Sequence, residues 1–160
     1  MTAHTTDDGL DPVFLLADTD PAAMKSMNSE LIAAFRASGG NVGGSFTGVP
    51  LLLLTTIGSR SRLARTTPVN YTRTGDAYVV IASKSGAATH PDWYHNLRAH
   101  PDATIEVGGQ TLQVRARETS GAERDALFHR QAGLLPNFRA YQRRTARQLP
   151  VIVLDVLAPE

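Results

Sequence analysis

The sequence predicts an α+β fold: a six-stranded antiparallel barrel decorated with helices. Three observations lead there. About six short apolar or alternating runs recur along the chain, each of strand length. Tight turn signals such as Thr74-Gly75-Asp76 and Gly108-Gly109 join several of them, and hairpin-linked strands pair antiparallel. Helical signals lie at the start, in the middle and near the end, so the helices do not alternate with the strands. A sheet of this size removes its edges by closing on itself.

Taken in order, residues 1–20 are polar and acidic without periodicity, and read as a disordered tail. Residues 21–160 form one domain. Asp20-Pro21 reads as a cap and first helical residue. Met27, Leu31, Ala34 and Phe35 then share a helical face, and Gly39-Gly40 ends the helix. Residues 41–50 are a Gly-rich loop without the Lys or the strand-loop-helix order of a nucleotide fingerprint. Residues 51–57 are a central strand ended by Gly58. Residues 66–73 are the next strand, with Pro68 demoting its start to an edge or bulge. Residues 77–82 follow as a third strand. Ser85-Gly86 turns the chain, and 91–99 is a short helix opened by Pro91. Ala103, Ile105 and Val107 alternate on one strand, and Leu112, Val114 and Ala116 on its return. Ser120 and Glu123 read as a capping box opening a helix through about residue 131. Residues 136–147 read as another helix and 151–156 as the last strand.

Composition excludes several classes. There is no Cys, hence no disulfide, thiolate nucleophile or Cys metal site. His90, His95 and His100 are five apart, about 140° on a helix, so they do not share a face; no metal site is expected. Ser61 and Ser83 lack the nucleophile elbow of a hydrolase. No apolar run reaches the ~18 residues of a membrane span and no basic signal segment opens the chain, so a cytoplasmic location is expected. The first helix, with only Lys25 and Arg36 as bases, allows at most weak contact with a membrane surface.

Net charge is +1, but the first 20 residues hold five acids and no bases, which leaves a body of net +6. Fourteen of the 16 bases are Arg, which suits bidentate binding of phosphate or carboxylate. Few aromatics interleave with the bases, which argues against nucleic acid. Arg60, Ser61 and Arg65 follow the end of one strand and Lys84 the end of another. At one barrel rim, such hydroxyls, backbone N–H groups and guanidinium groups make an anion site. A solvated basic loop accounts for the same residues. Tyr141, three residues after Phe138, fits either a core aromatic or a ring exposed to a site.

The ordered set is more specific than its parts. Leu51-Leu-Leu-Leu-Thr-Thr-Ile-Gly58, Ser61, Arg65-Thr-Thr-Pro68, Ala82-Ser-Lys-Ser-Gly86, Pro91-Asp-Trp-Tyr-His-Asn-Leu97 and Tyr141-Gln-Arg-Arg-Thr-Ala-Arg-Gln-Leu-Pro-Val151 occur in this order. From about residue 28 to 157 the chain resembles the deazaflavin-dependent nitroreductase family of actinobacteria. The resemblance implies a split β-barrel and reduced coenzyme F-420, a deazaflavin with a phosphate and an oligoglutamate tail, with FMN the less favoured cofactor. It implies hydride transfer to a small-molecule acceptor: a quinone, nitroaromatic or activated enone. A non-catalytic deazaflavin carrier and an FMN-dependent reductase are the alternatives, and the protein is expected to be a monomer or homodimer. By the same resemblance, Ser59, Arg60, Ser61, Arg65, Thr66, Thr67, Pro68, Val69 and Asn70 hold the phosphate and side chain. Ile81, Ala82, Ser83, Lys84, Trp93, Tyr94, His95 and Asn96 line the ring and phosphate pocket. Tyr141 covers the ring, and Tyr141, Ser83 or water supplies the proton. The chain departs from the family at Arg62, where the loop commonly has Gly.

Overall fold

The computed structural model of the chain describes residues 21–43 and 49–157. The acidic stretch 1–20 and the capping Asp20 lie outside the described residues. Among the described residues, seven strands form one antiparallel sheet: β1 (Leu51–Ile57), β2 (Ala64–Asn70), β3 (Thr72–Thr74), β4 (Ala77–Ile81), β5 (Asp102–Val107), β6 (Gln110–Glu118) and β7 (Val151–Val156). Their order is β2-β1-β5-β6-β7-β4-β3. The sheet curls into a half-barrel whose outer strands, β2 and β3, are edges. The same residues include four α-helices that decorate it: α1 (Pro21–Ser38), α2 (Asp92–Ala99), α3 (Gly121–Leu134) and α4 (Asn137–Arg143). None of these is long and apolar enough to cross a membrane.

The α+β split barrel is thus present, with one strand more than the six expected because the run 66–73 breaks. Residues through Asn70 pair with β1, from Leu51↔Asn70 to Ile57↔Ala64. Beyond Tyr71 the chain pairs with β4 instead, Thr72↔Val79 to Thr74↔Ala77. One continuous run therefore supplies both sheet edges. Pro68 lies opposite Leu53 on the edge strand, a position that tolerates a missing N–H.

Two apolar layers hold the sheet. On one face Leu52, Leu54, Val80, Ile105, Val114 and Leu154 meet Trp93, Tyr94 and Leu97 of α2. On the other, Val79, Ile81, Val151 and Val153 meet Phe128 of α3 and Phe138 and Tyr141 of α4. Strand β4 is buried at every position because its alternate side chains enter these two layers, which is why it reads as an unbroken apolar run. Each fully buried large side chain contributes about 1.5–3 kcal/mol.

Two helix boundaries differ from expectation. Ser120 precedes α3 but makes no side-chain cap. Glu123 turns to Arg117 instead, 2.8 Å away, so the reciprocal capping box does not form. The last helix stops at Arg143, four residues short of 147. Gln142 stops it, donating to the Arg147 carbonyl (2.7 Å) and accepting the Leu149 N–H (3.0 Å). This side chain folds 144–150 back toward β7.

Candidate active site

A cleft of about 1280 Å³ opens along β2 and the end of β4, walled by α1, α2 and α4. It gathers every sequence-predicted site residue except Ala82 and Tyr94. Those two belong to the barrel core, and the Tyr94 hydroxyl donates to Glu118 (2.7 Å), away from the cleft. Burial and that carboxylate raise the Tyr94 phenol above its ordinary range.

The β1–β2 hairpin makes the first wall. Its loop closes through Gly58 N–H to Leu63 O (2.8 Å) and Arg62 N–H to Gly58 O (2.9 Å). A Cβ on Gly58 would collide with the Ser61 hydroxyl and displace it from the Leu63 N–H that it accepts, so glycine serves close approach here rather than an unusual φ. Arg62 is forced to φ +60°, a conformation that disfavours a residue with a Cβ. The loop is anchored from α2. Buried Asn96 accepts the Ser59 N–H through Oδ1 and donates through Nδ2 to buried Thr56, each at 3.0 Å. Asn96 therefore reaches the cleft while setting the loop. Asn70 donates to the Pro50 carbonyl (3.1 Å).

The second wall is the turn after β4. Lys84 and Ser85 have φ +47° and +54°, so two consecutive residues with side chains occupy the left-handed region. Such outliers persist only where their surroundings fix them. Gly86 follows at φ +81°, where a Cβ would lie 2.6 Å from the Tyr141 carbonyl oxygen. The turn is thus pressed against α4. It carries half-buried Ser83 and exposed Lys84 into the cleft, and Lys84 Nζ donates to Thr89 (3.3 Å).

The third wall is aromatic and aliphatic. Tyr141 is buried and stacks edge-on against Phe138, centroids 5.5 Å apart, and both line the cleft with Trp93. Tyr141 is thus a core aromatic that also borders the cleft. Met27, Leu31 and Ile32 of α1 complete the apolar side. Sequence reasoning missed these α1 residues as part of the site, because their spacing signals an apolar face without saying what it covers.

Charge is distributed unequally. Arg36, Arg115, Arg117 and Arg124 each pair with a carboxylate. Among the described residues, Arg60, Arg65 and Lys84 at the cleft do not. The cleft thus offers cationic groups for an anion and aromatic and aliphatic side chains for a flat apolar group. Among the described residues, no cluster of three or more His, Asp or Glu side chains is placed to hold a metal.

Residues 28–156 match the F-420H(2)-dependent quinone reductase family. The chain is 40% identical over 126 residues to an F-420H(2)-dependent quinone reductase of Mycobacterium tuberculosis, covering 76% of this chain and 85% of that protein. A solved F-420-H(2) dependent reductase superposes with a TM-score of 0.62 at 33% identity, covering 66% of this chain and 94% of the other. A second solved chain, described as a domain-swapped dimer, gives 0.64 at 29% identity over 85% of this chain and 100% of its own. The chain accordingly belongs to the F-420H(2)-dependent quinone reductase family, and is an oxidoreductase whose cofactor is coenzyme F-420.

Proposed function

We propose that this protein reduces a quinone at the cleft, and that nitroaromatics and activated enones are further acceptors there. The observation that carries this reading is one cleft lined both by Trp93, Phe138 and Tyr141 and by Arg60, Arg65 and Lys84, which form no ion pair among the described residues. The donor set fits the cofactor: Arg60, Arg65 and Lys84 match its phosphate and carboxylates, and the hydroxyls of Ser61, Thr66 and Thr67 add short-range donors. When bound, the reduced deazaflavin supplies a hydride; hydride plus one proton converts a quinone to a hydroquinone.

The chain's own residues bind, orient and protonate. Arg60, Arg65 and Lys84 would anchor the cofactor by groups that do not react, which would fix the ring without covering it. Ile81, Ser83 and Trp93, which line the cleft, would border the ring. Tyr141 and Phe138 offer the acceptor a stacking surface, and Met27, Leu31 and Ile32 exclude water beside it. The Tyr141 hydroxyl, with Ser83 as the alternative, delivers the proton to the acceptor oxygen.

Fluorescence-quenching titration with coenzyme F-420 and with FMN tests the cofactor half. The expected result is tighter F-420 binding that weakens with added salt; equal or tighter FMN binding overturns it. Steady-state reduction of menadione tests the rest. Tyr141→Phe should lower turnover roughly 10- to 1000-fold with cofactor affinity nearly constant. No turnover of menadione, a nitroaromatic or an enone by a protein that binds F-420 would mark a carrier instead.

A further inference from the structure

The turn that carries Ser83 and Lys84 is not held by its own hydrogen bonds alone. Inside it, Gly86 N–H meets Ser83 O and Ala87 N–H meets Lys84 O, both at 3.0 Å. That leaves the carbonyls of Ala82, Ser85 and Ala87 to be satisfied from elsewhere, and the Ser83 carbonyl with a second lone pair for another donor. Two arginines from the segment before β7 do this. Arg147 donates from Nη1 to Ala82 O (3.0 Å), from Nη2 to Ser83 O (2.6 Å) and from Nε to Ala87 O (2.9 Å). Its Nη1 also meets His90 Nδ1 at 3.0 Å. Arg144 donates from Nη1 to Ser85 O (2.8 Å).

One planar guanidinium thus spans the turn from the residue before Ser83 to the residue after Gly86. The contacts cross at least 57 residues of sequence, and the β4–β7 pairing that ends at Ile81↔Val151 brings both segments together. A planar fork with several fixed donors can meet carbonyls pointing in different directions; an ammonium on a flexible stem cannot meet them together. The left-handed φ of Lys84 and Ser85 is what the surroundings must enforce.

We infer that Arg147, seconded by Arg144, is a positioning residue for Lys84: it sets the turn so that the Lys84 ammonium faces the cofactor's anionic end. The inference rests on the proposed role of the cleft. It assigns Arg147 no contact with cofactor or acceptor. Its effect on binding therefore passes through Lys84.

The test is a double-mutant cycle read by F-420 titration, using Arg147→Lys, Lys84→Ala and the double variant. Arg147→Lys should weaken F-420 binding about 10- to 100-fold when Lys84 is present. In the Lys84→Ala background the same change should cost no more than about 3-fold, because the group being positioned is gone. Equal losses in the two backgrounds would mean a general structural effect and overturn the inference. Full affinity in Arg147→Lys would overturn it as well. If Arg147→Lys does not fold, Arg144→Gln, which removes the Ser85 contact, runs through the same cycle with a smaller expected loss. Amide hydrogen exchange without cofactor separates this inference from the reading it rests on. Failure of the wild type to bind F-420 sinks the cofactor reading. Faster exchange at 83–88 in Arg147→Lys, with β5 unchanged, supports the clamp, and unchanged exchange there refutes it.

Discussion

Gly86 is where the fold and the site meet most tightly, so Gly86→Ala is the sharpest perturbation. Two costs add. The residue sits at φ +81°, and a left-handed conformation costs an L-residue roughly 1–2 kcal/mol. The new Cβ would also lie 2.6 Å from the Tyr141 carbonyl oxygen and 3.0 Å from the Tyr141 Cα and the Arg144 Cβ. The nearest obstacle is backbone, so the turn or α4 must move. Overpacking of this kind costs about 1–3 kcal/mol. The expected destabilisation is therefore roughly 2–5 kcal/mol, and ~3 kcal/mol lowers the melting temperature of a chain this long by roughly 6–12 °C. Gly75 supplies the control: at φ +57°, a Cβ there would meet nothing within 4 Å. Gly75→Ala should show the conformational cost alone, roughly 1–2 kcal/mol. Urea unfolding of both variants measures the difference. Equal destabilisation by the two substitutions would refute the close contact between the turn and α4.

Two further outcomes follow from the same geometry. Arg62 carries a side chain at φ +60°, so Arg62→Gly should stabilise the protein by about 0.5–1 kcal/mol in urea unfolding; a loss of stability would show that the Arg62 side chain makes a compensating contact. His90 is held below its ordinary value of about 6.5, first by burial, then by Arg147 and His95, with Arg98 acting the same way and Glu118 opposing; the Tyr94 ring packs against it at 4.4 Å. In the window between the folded value and 6.5 the unfolded chain binds the extra proton, so His90 contributes stability that is full above pH 6.5 and is lost as pH falls through the folded value. His90→Gln keeps an acceptor for Arg147 and does not titrate. Its melting temperature should fall less between pH 7 and 5 than that of the wild type, and parallel curves would remove His90 from the pH dependence.

Much of the site is legible in the sequence because its residues lie in short contiguous runs beside strand ends. Arg60, Ser61 and Arg65 flank a hairpin, Ser83 and Lys84 follow β4, and Trp93 and Asn96 open α2; local sequence order is enough to put them near one rim. Ala82 and Tyr94 are drawn in by adjacency, but period-2 and 3.6-residue alternation turn them into the barrel core. The role of Arg147 is hidden for a different reason. Its partners are backbone carbonyls about sixty residues away, and a carbonyl carries no sequence signature. Read as a helix to 147, the segment aims its arginines at solvent or at the cofactor tail.

The sequence by itself determined the α+β class and the boundaries of β1 and β7, and the resemblance carried by its ordered motifs implied the family and the cofactor. The class and the boundaries depend on local periodicity and turn chemistry, which are properties of neighbouring residues. Only the tertiary structure decided that the run after Pro68 breaks at Tyr71 to supply both edges of the sheet, that α1 walls the cleft, that Glu123 prefers Arg117 to its own helix cap, and that Gln142 ends α4 early. The first two pit a local preference against a partner distant in sequence, whereas Glu123 and Gln142 turn to partners only five to seven residues away that lie outside their own helices. Capping and propensity terms are only about 1 kcal/mol, and which partner is within reach is known only once the segments have been brought together.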